Sequence, residues 1–417
     1  MPRARRAVVL LLVLVAGAAI LQPPLTPALA AADETRGLWV QRTSLTSPTQ
    51  IAAMVDAARA GGFNTLLVQV RGRGEAFYAS DIEPRSSELD GEPASFDPLA
   101  TTLDLAHKAG LRVHAWINVN LVASAATLPR SRAHVVFRHP EWLMVPSALA
   151  AALHDVDPQS PEYVAAVARW TRSMSSQVEG LYLSPIADES QAYTTRVVTE
   201  VATKYAVDGV HLDYLRYPTE AFDYSRSAIA TFRALHAAAT PAAERQRLDA
   251  RSVTEPMLWT NFLPDSWEAY RRDRLSELAT RLAGAVRRAR PRALVTIAVN
   301  PSADEALGRR LQNWRAWAAA GDFDAICPMA YAADPKEFAD QLSQARAAAA
   351  STPLWVGVGA YQLPVATTAD RLRLARRAGA AGVLLFSYDA LTASPEPSAY
   401  FTALRPVLLE PPAGSSR

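Results

Sequence analysis

The residues best suited to chemistry fall in one short segment, VDGVHLDYLRYP at 207–218, which carries His211, Asp213, Tyr214, Arg216 and Tyr217. On a β-strand His211 and Asp213 share a face, because side-chain direction repeats every two residues. Gln69 and Arg71 have the same spacing in TLLVQVRG, as do His114, Trp116 and Asn118 in RVHAWIN. If these faces point to a common centre, rings, amides and a carboxylate converge there. Rings cover the apolar C–H faces of a pyranose, and amides and charged groups take its hydroxyls, so the set suits a sugar.

Cleaving a glycosidic bond ordinarily uses two carboxyl groups, one of which protonates the leaving oxygen. Asp213 is the first choice, as base, nucleophile or stabiliser of positive charge, because a nearby Arg216 would favour its ionised form. Glu75 in RGRGEAFY is the leading second carboxyl and general-acid candidate, ahead of Asp389 and then Asp334. Ion pairing of Asp213 with Arg216 or Arg71, or of Glu75 within its loop, is the competing structural reading. Substrate contacts are expected from Gln69, Arg71, Trp116, Asn118, His211, Tyr214, Arg216, Tyr217, Tyr331 and Asp389.

Other chemistries have less support. His114, His211 and Asp213 could meet around a metal, but the seven histidines include no H-E-x-x-H and no close Cys/His set. No metal or cofactor is assigned. His107, His134 and His139 read as structural or surface residues. A nucleophile elbow G-x-S-x-G and a dinucleotide-binding G-x-G-x-x-G are both absent. Cys327, the one cysteine, lies in the apolar stretch DAICPMAY and reads as a buried thiol.

The elements that position these groups alternate along the chain. Apolar runs at 37–41, 65–72, 112–118, 208–214, 294–299, 323–331, 353–359 and 382–388 predict eight strands, mostly separated by Ala/Leu/Arg-rich helical stretches. Ser47-Pro48 and Asp97-Pro98 predict capped helix starts, and Gly61-Gly62 and Gly110 predict helix ends. Continuous apolar runs indicate strands buried on both faces. Eight such units predict a (β/α)8 TIM barrel spanning about 36–404, with an open doubly wound sheet as the competing fold. Long insertions after strands three and four follow the strand ends that form the active face of such barrels, and could wall a groove. The second insertion carries a helical stretch at 224–238 and the aromatic patch MLWTNFLPDSW. Residues 405–417 have the composition of a flexible tail.

The N-terminus predicts export. Arg3, Arg5 and Arg6 precede the apolar run Val8–Leu21, and Ala28-Leu29-Ala30 offers a small-x-small cleavage site, so residues 1–30 read as a signal peptide. An uncleaved anchor is the alternative. No cysteine lies near the cut, so a lipoprotein-type anchor is not expected. Of 43 lysines and arginines, three lie in that leader, which leaves 40 against 41 acidic residues. Near-neutral charge without a basic stripe gives no support for nucleic-acid binding. A composition of 50% hydrophobic and 20% charged residues argues against disorder.

RGLWVQR, FNTLLVQVRGRGEAFYAS, RVHAWINVN, GLYLSPIADE, VDGVHLDYLRYP, NWRAWAAAGDFDAICPMAY, LWVGVGAYQL and AGVLLFSYDAL follow one another from Arg36 to Leu391. In that order they resemble the glycosyl-hydrolase-like family 10 proteins, exported bacterial (β/α)8 barrels. VDGVHLDYLRYP is the most specific stretch. The resemblance implies a glycosidase-like activity in the periplasm or outside the cell, on peptidoglycan glycan strands stripped of their peptides. It places His211, Asp213 and Tyr214 on the fourth barrel strand, Trp116 and Asn118 on the third, and Tyr331 on the sixth. The chain departs from the family pattern at Glu75, where RGDA is usual, and at Leu212, where D-D-Y is usual. GLYLSPIADE lacks the usual N-P continuation, and residues 121–178 have no clear counterpart. A non-catalytic glycan-binding barrel of the envelope is the principal alternative.

Overall fold

The computed structural model describes residues 34–393 and 397–411, so the expected leader lies outside the described residues. Eight parallel strands close into a barrel: β1 (Thr35–Val40), β2 (Thr65–Arg71), β3 (Arg112–Asn118), β4 (Gly209–Asp213), β5 (Leu294–Val299), β6 (Ala325–Ala330), β7 (Trp355–Val358) and β8 (Gly382–Leu385). They pair in chain order, and β8 pairs with β1 to complete the ring. The expected (β/α)8 TIM barrel is therefore the fold.

The reason lies in the strand pattern. In β2, Leu66, Val68 and Val70 pack outward into the core shared with the helices, while Leu67 points into the barrel. There it joins Trp39, Trp116, Ala325, Cys327, Trp355 and Leu384. Both faces are covered, which is why the strands read as unbroken apolar runs. Large interior rings need space, and Gly357 supplies it: a Cβ there would stand 2.8 Å from the Trp39 ring. The helices start where their caps predict. Ser47 Oγ accepts from Gln50 N at 3.3 Å ahead of Pro48–Gly61, and Asp97 Oδ1 accepts from Ala100 N at 2.9 Å ahead of Pro98–Lys108.

Register aligns the polar strand ends. Gln69 lies opposite Trp116, Trp116 opposite His211, and Asn118 opposite Asp213. Two long segments leave the barrel here, residues 119–208 and 214–293. The first contains a two-stranded antiparallel sheet, Leu121–Ala123 with Leu181–Tyr182, and an apolar cluster of its own around Val136, Leu143, Val167 and Val197. The second contains the helices Arg226–Ala237, Ala242–Ser252, Leu258–Phe262 and Pro264–Ala289. Two of the three rings of its aromatic patch turn inward, while Phe262 is exposed. Trp259 and Trp267 are buried, and Trp267 packs with Phe232 and Ile186.

The C-terminal boundary also differs from expectation. A helix, Pro397–Leu408, continues past residue 404 and buries Leu404, Val407 and Leu408. Arg376 donates to the carbonyls of Val407 and Leu408 and pins the helix end, and Arg373 pairs with Glu410 at 2.7 Å. Only the polar residues after this helix carry the tail-like composition. Residues 412–417 lie outside the described part.

Candidate active site

A cavity of about 290 Å³ opens at the C-terminal ends of the strands. Trp39, Gln69, Trp116, Asn118, Asp213, Tyr214, Arg216 and Tyr331 line it, together with Gln41, Arg42, Arg73, Met329 and Phe386. Six expected substrate contacts (Gln69, Trp116, Asn118, Tyr214, Arg216 and Tyr331) and the first-choice carboxyl thus share one space. Two further cavities adjoin it. One, of about 230 Å³, shares Arg42 and Arg73 and contains Glu75; the other, of about 660 Å³, shares Met329 and Tyr331.

Asp213 ends β4 and is 6% exposed. Oδ2 accepts from Trp116 Nε1 at 3.1 Å, and Oδ1 accepts from the Tyr214 backbone N–H at 2.6 Å. Tyr214 has a φ of 53°, so the chain turns sharply directly after the carboxyl. Burial raises the Asp213 pKa, while Arg216 and the two N–H donors work in the opposite direction without cancelling it. This reverses the expectation of a carboxylate held ionised by its arginine. Among the described residues Asp213 makes no ion pair. Arg216 instead pairs with Glu179 at 3.2 Å and lies 4.3 Å over the Tyr214 ring. Tyr331 stays a neutral phenol, its pKa raised by burial and by Asp213.

Amides line the wall beside Asp213, on the neighbouring strands β3 and β2. Gln69 Oε1 accepts from Arg42 at 3.1 Å, and Asn118 Nδ2 donates to the Gly72 carbonyl at 2.7 Å. Glu75 lies on the adjoining cavity and accepts from Ser86 Oγ at 3.1 Å. Burial raises its pKa as well. No second carboxyl belongs to the lining of the central cavity among the described residues.

Four expected substrate contacts and one reserve carboxyl have other work. Arg71 is fully buried against Glu83, with Nη2 to Oε1 at 2.6 Å, and donates to the carbonyls of Asn118 and Val119. Its length carries the guanidinium past the strand end into a structural clamp. His211 lies below the cavity. Its Nε2 accepts from Trp39 Nε1 at 3.1 Å, so the Nδ1 proton is donated to Thr296 Oγ1 at 2.9 Å and no nitrogen is left for a ligand. Burial lowers its pKa and keeps it neutral. Tyr217 is fully buried, with its hydroxyl donating to the Arg271 carbonyl at 3.3 Å. Asp389 accepts from Gln41 N, Thr43 Oγ1 and Ser44 Oγ at 2.6–2.9 Å and fastens the loop after β1. Asp334 caps the helix Pro335–Ala348 by accepting from Lys336 N and Glu337 N.

Beyond the expected set, the lining also includes Trp39, Gln41, Arg42, Arg73, Met329 and Phe386. Trp39 and Gln41 obey the same two-residue rule in RGLWVQR, so a signal for them existed. Arg42 opens a single 3-10 turn, Arg42–Leu45, and Arg73 sits on a loop, so no periodicity marks the direction of either. Cys327 is buried inside the barrel, as expected, and burial raises its pKa.

A glycoside hydrolase domain from Bordetella bronchiseptica, that of PgaB (BpsB), shares the fold with a TM-score of 0.59 at 13% identity, over 89% of this chain and 99% of that one. Glycosyl hydrolase DigH of Escherichia coli K12 is 28% identical over 43% of this chain and 41% of its own length. Glycosyl hydrolase YngK of Bacillus subtilis is 25% identical over 40% of this chain and 27% of its own length. The matches thus span less than half of either curated relative. The model of the family described as glycosyl hydrolase-like 10 matches residues 34–371. A match over that much of the chain, on a barrel whose strand ends carry the expected polar residues, shows that this protein belongs to the glycosyl hydrolase-like 10 family.

Proposed function

We propose that the protein hydrolyses glycosidic bonds in an exported polysaccharide, with the peptidoglycan glycan strand as its polymer. The observation that carries this reading is Asp213: a buried carboxyl of raised pKa, set among rings and amides at the mouth of a barrel. A carboxyl held toward its protonated form suits a general acid. Its proton would pass to the glycosidic oxygen as the C–O bond breaks, and water would add to the anomeric carbon. Trp39, Trp116 and Tyr331 offer ring surface to the sugar, and Gln69 and Asn118 offer amides. The three adjoining cavities suit an extended polymer better than a single small sugar. A cleaved signal peptide would give the protein access to such a polymer. Intact mass of the secreted form should begin near Ala31, and a mass retaining residues 1–30 would contradict cleavage.

Two schemes place the attacking group differently. In one, Glu75 acts from the adjoining cavity as the second carboxyl. In the other, a 2-acetamido group of the substrate attacks the anomeric carbon, as in substrate-assisted glycosidases. The second scheme is favoured by Asp213 being the sole carboxyl in the central lining among the described residues. Incubation with intact and peptide-stripped peptidoglycan, with products read by mass spectrometry, tests the activity. A Glu75→Gln protein run alongside separates the schemes. Loss of turnover by orders of magnitude supports the two-carboxyl scheme, and a change of only a few-fold supports substrate assistance. Failure to release fragments across a broad polysaccharide panel would favour a glycan-binding barrel.

A further inference from the structure

Between the Asp213 cavity and the Glu75 cavity stands Arg73, which lines both. Its backbone is fixed on both sides. The Gly72 carbonyl accepts from Asn118 Nδ2 at 2.7 Å, and the Arg73 carbonyl accepts from His134 Nε2 at 2.9 Å. His134 Nδ1 accepts from Val136 N at 3.1 Å, which leaves the proton on Nε2 for that bond. Gly74 has a φ of 67°, and a Cβ there would stand 2.7 Å from the His134 ring. A side chain at Gly72 would stand 2.7 Å from Arg42 Cδ. The tripeptide is therefore shaped to its neighbours, and His134, from the first insertion, helps to set where Arg73 stands.

The guanidinium of Arg73 itself has no hydrogen-bond or ion-pair partner among the described residues, although it is surrounded by ones that do. Arg42 pairs with Glu88 at 3.0 Å and Arg216 with Glu179 at 3.2 Å, while Arg130 lies 3.8 Å from Asp90. Glu75 lines the same cavity as Arg73 and accepts from Ser86. The Arg73 side chain is exposed at the cavity mouth; partial desolvation and the charge of Arg42 lower its pKa, and Glu88, Tyr214 and Glu75 offset them only in part. An arginine fork on a fixed backbone, at the boundary between the Asp213 cavity and its neighbour and without an ion-pair partner among the described residues, is suited to receive a carboxylate in bidentate geometry.

We infer that Arg73 is a specificity-determining residue that binds a carboxylate carried by a sugar of the polymer, in the subsite adjoining Asp213. This rests on the glycosidase reading above and narrows its substrate to acidic polysaccharides. In a stripped peptidoglycan strand the lactyl ether on alternate sugars supplies such a group; in a polyuronide the ring does.

The test compares stripped glycan strands with the same strands after their carboxyls are converted to alcohols by carbodiimide activation and borohydride reduction. Binding is measured by calorimetry and cleavage by release of reducing ends, for the parent, Arg73→Gln and Arg73→Lys. The parent should prefer the carboxylate form by about tenfold, the scale of one charge-assisted contact. Arg73→Gln should lose that preference by weakening the carboxylate form alone, with melting temperature and affinity for the reduced form unchanged, and Arg73→Lys should keep part of it. Equal action of the parent on both forms, or equal weakening of both by Arg73→Gln, overturns the inference and leaves the glycosidase reading intact. A parent that neither binds nor cleaves either form, and does not act on an oligouronide, overturns both. An oligouronide run beside them separates the sources. Arg73-dependent binding there assigns a ring carboxylate, Arg73-dependent binding confined to the stripped strand assigns the lactyl one, and dependence in neither overturns the inference.

Discussion

At Asp213 two effects oppose each other. Removal from water favours the neutral acid, while Arg216 and the N–H groups of Trp116 and Tyr214 favour the anion; burial prevails. A general acid works while protonated, so activity should fall as pH rises through this raised pKa. Arg216→Gln removes a cation that lowers the pKa. The alkaline limb of kcat/KM should therefore move to higher pH in that variant. A limb that stays in place, or moves to lower pH, would count against Asp213 as the acid. The sign of the Asp213 shift was not legible in the sequence. VDGVHLDYLRYP displays the arginine but not the depth of burial, and depth decides here. Glu75 was legible as a carboxyl past β2, yet not as a resident of the next cavity.

Element-scale placement was legible wherever period two governed. His211 and Asp213 do share a face, and Gln69, Trp116 and Asn118 reach the barrel mouth. The same rule could not say that Arg71 would fold away. Its partner Glu83 is twelve positions along in a loop, joined there by the Tyr193 hydroxyl at 2.9 Å from the helix Asp188–Lys204. This clamp fastens β2 and the loop after β3 to the first insertion. Both side chains are inaccessible to solvent, so Glu83→Ala leaves a buried cation unpaired and should cost about 3–5 kcal/mol in denaturant unfolding. The double change Arg71→Met with Glu83→Leu should cost less than Glu83→Ala alone. A loss under about 1 kcal/mol for Glu83→Ala would show that the clamp contributes little. Loop-borne pairs and hydrogen bonds of this kind, like those of Asp389 and Asp334, leave no periodic trace in a sequence.

For the molecule as a whole, the barrel encloses histidines that must stay neutral. His114 is fully buried beside Trp355, and burial lowers its pKa to about 4. The unfolded chain takes up this proton near the ordinary value of 6.5, so it binds more protons than the native state between these two values. Stability from this site is complete above pH 6.5 and is lost as pH falls toward 4, by about 3 kcal/mol in all. His211 and His134, also lowered by burial, act in the same direction. Raised carboxyls such as Asp213 act oppositely, so the comparison that isolates His114 is parent against His114→Phe. The variant should show a shallower fall of unfolding free energy below pH 6.5, and parallel curves would contradict the account. The architecture was the most legible feature, because eight doubly buried strands leave eight unbroken apolar runs. The insertions were legible only as interruptions, since the sequence of the aromatic patch does not show that Trp259 and Trp267 are core.

The central claim is that Asp213 transfers the proton that breaks a glycosidic bond. Turnover of peptide-stripped glycan strands by the parent and by Asp213→Asn tests it most directly, with melting temperatures taken to verify that both are folded. Asn keeps the shape of Asp but has no acidic proton to give, so kcat should fall by a factor on the order of 10²–10⁴ with KM little changed. Turnover within a few-fold of the parent in a folded Asp213→Asn protein would contradict it.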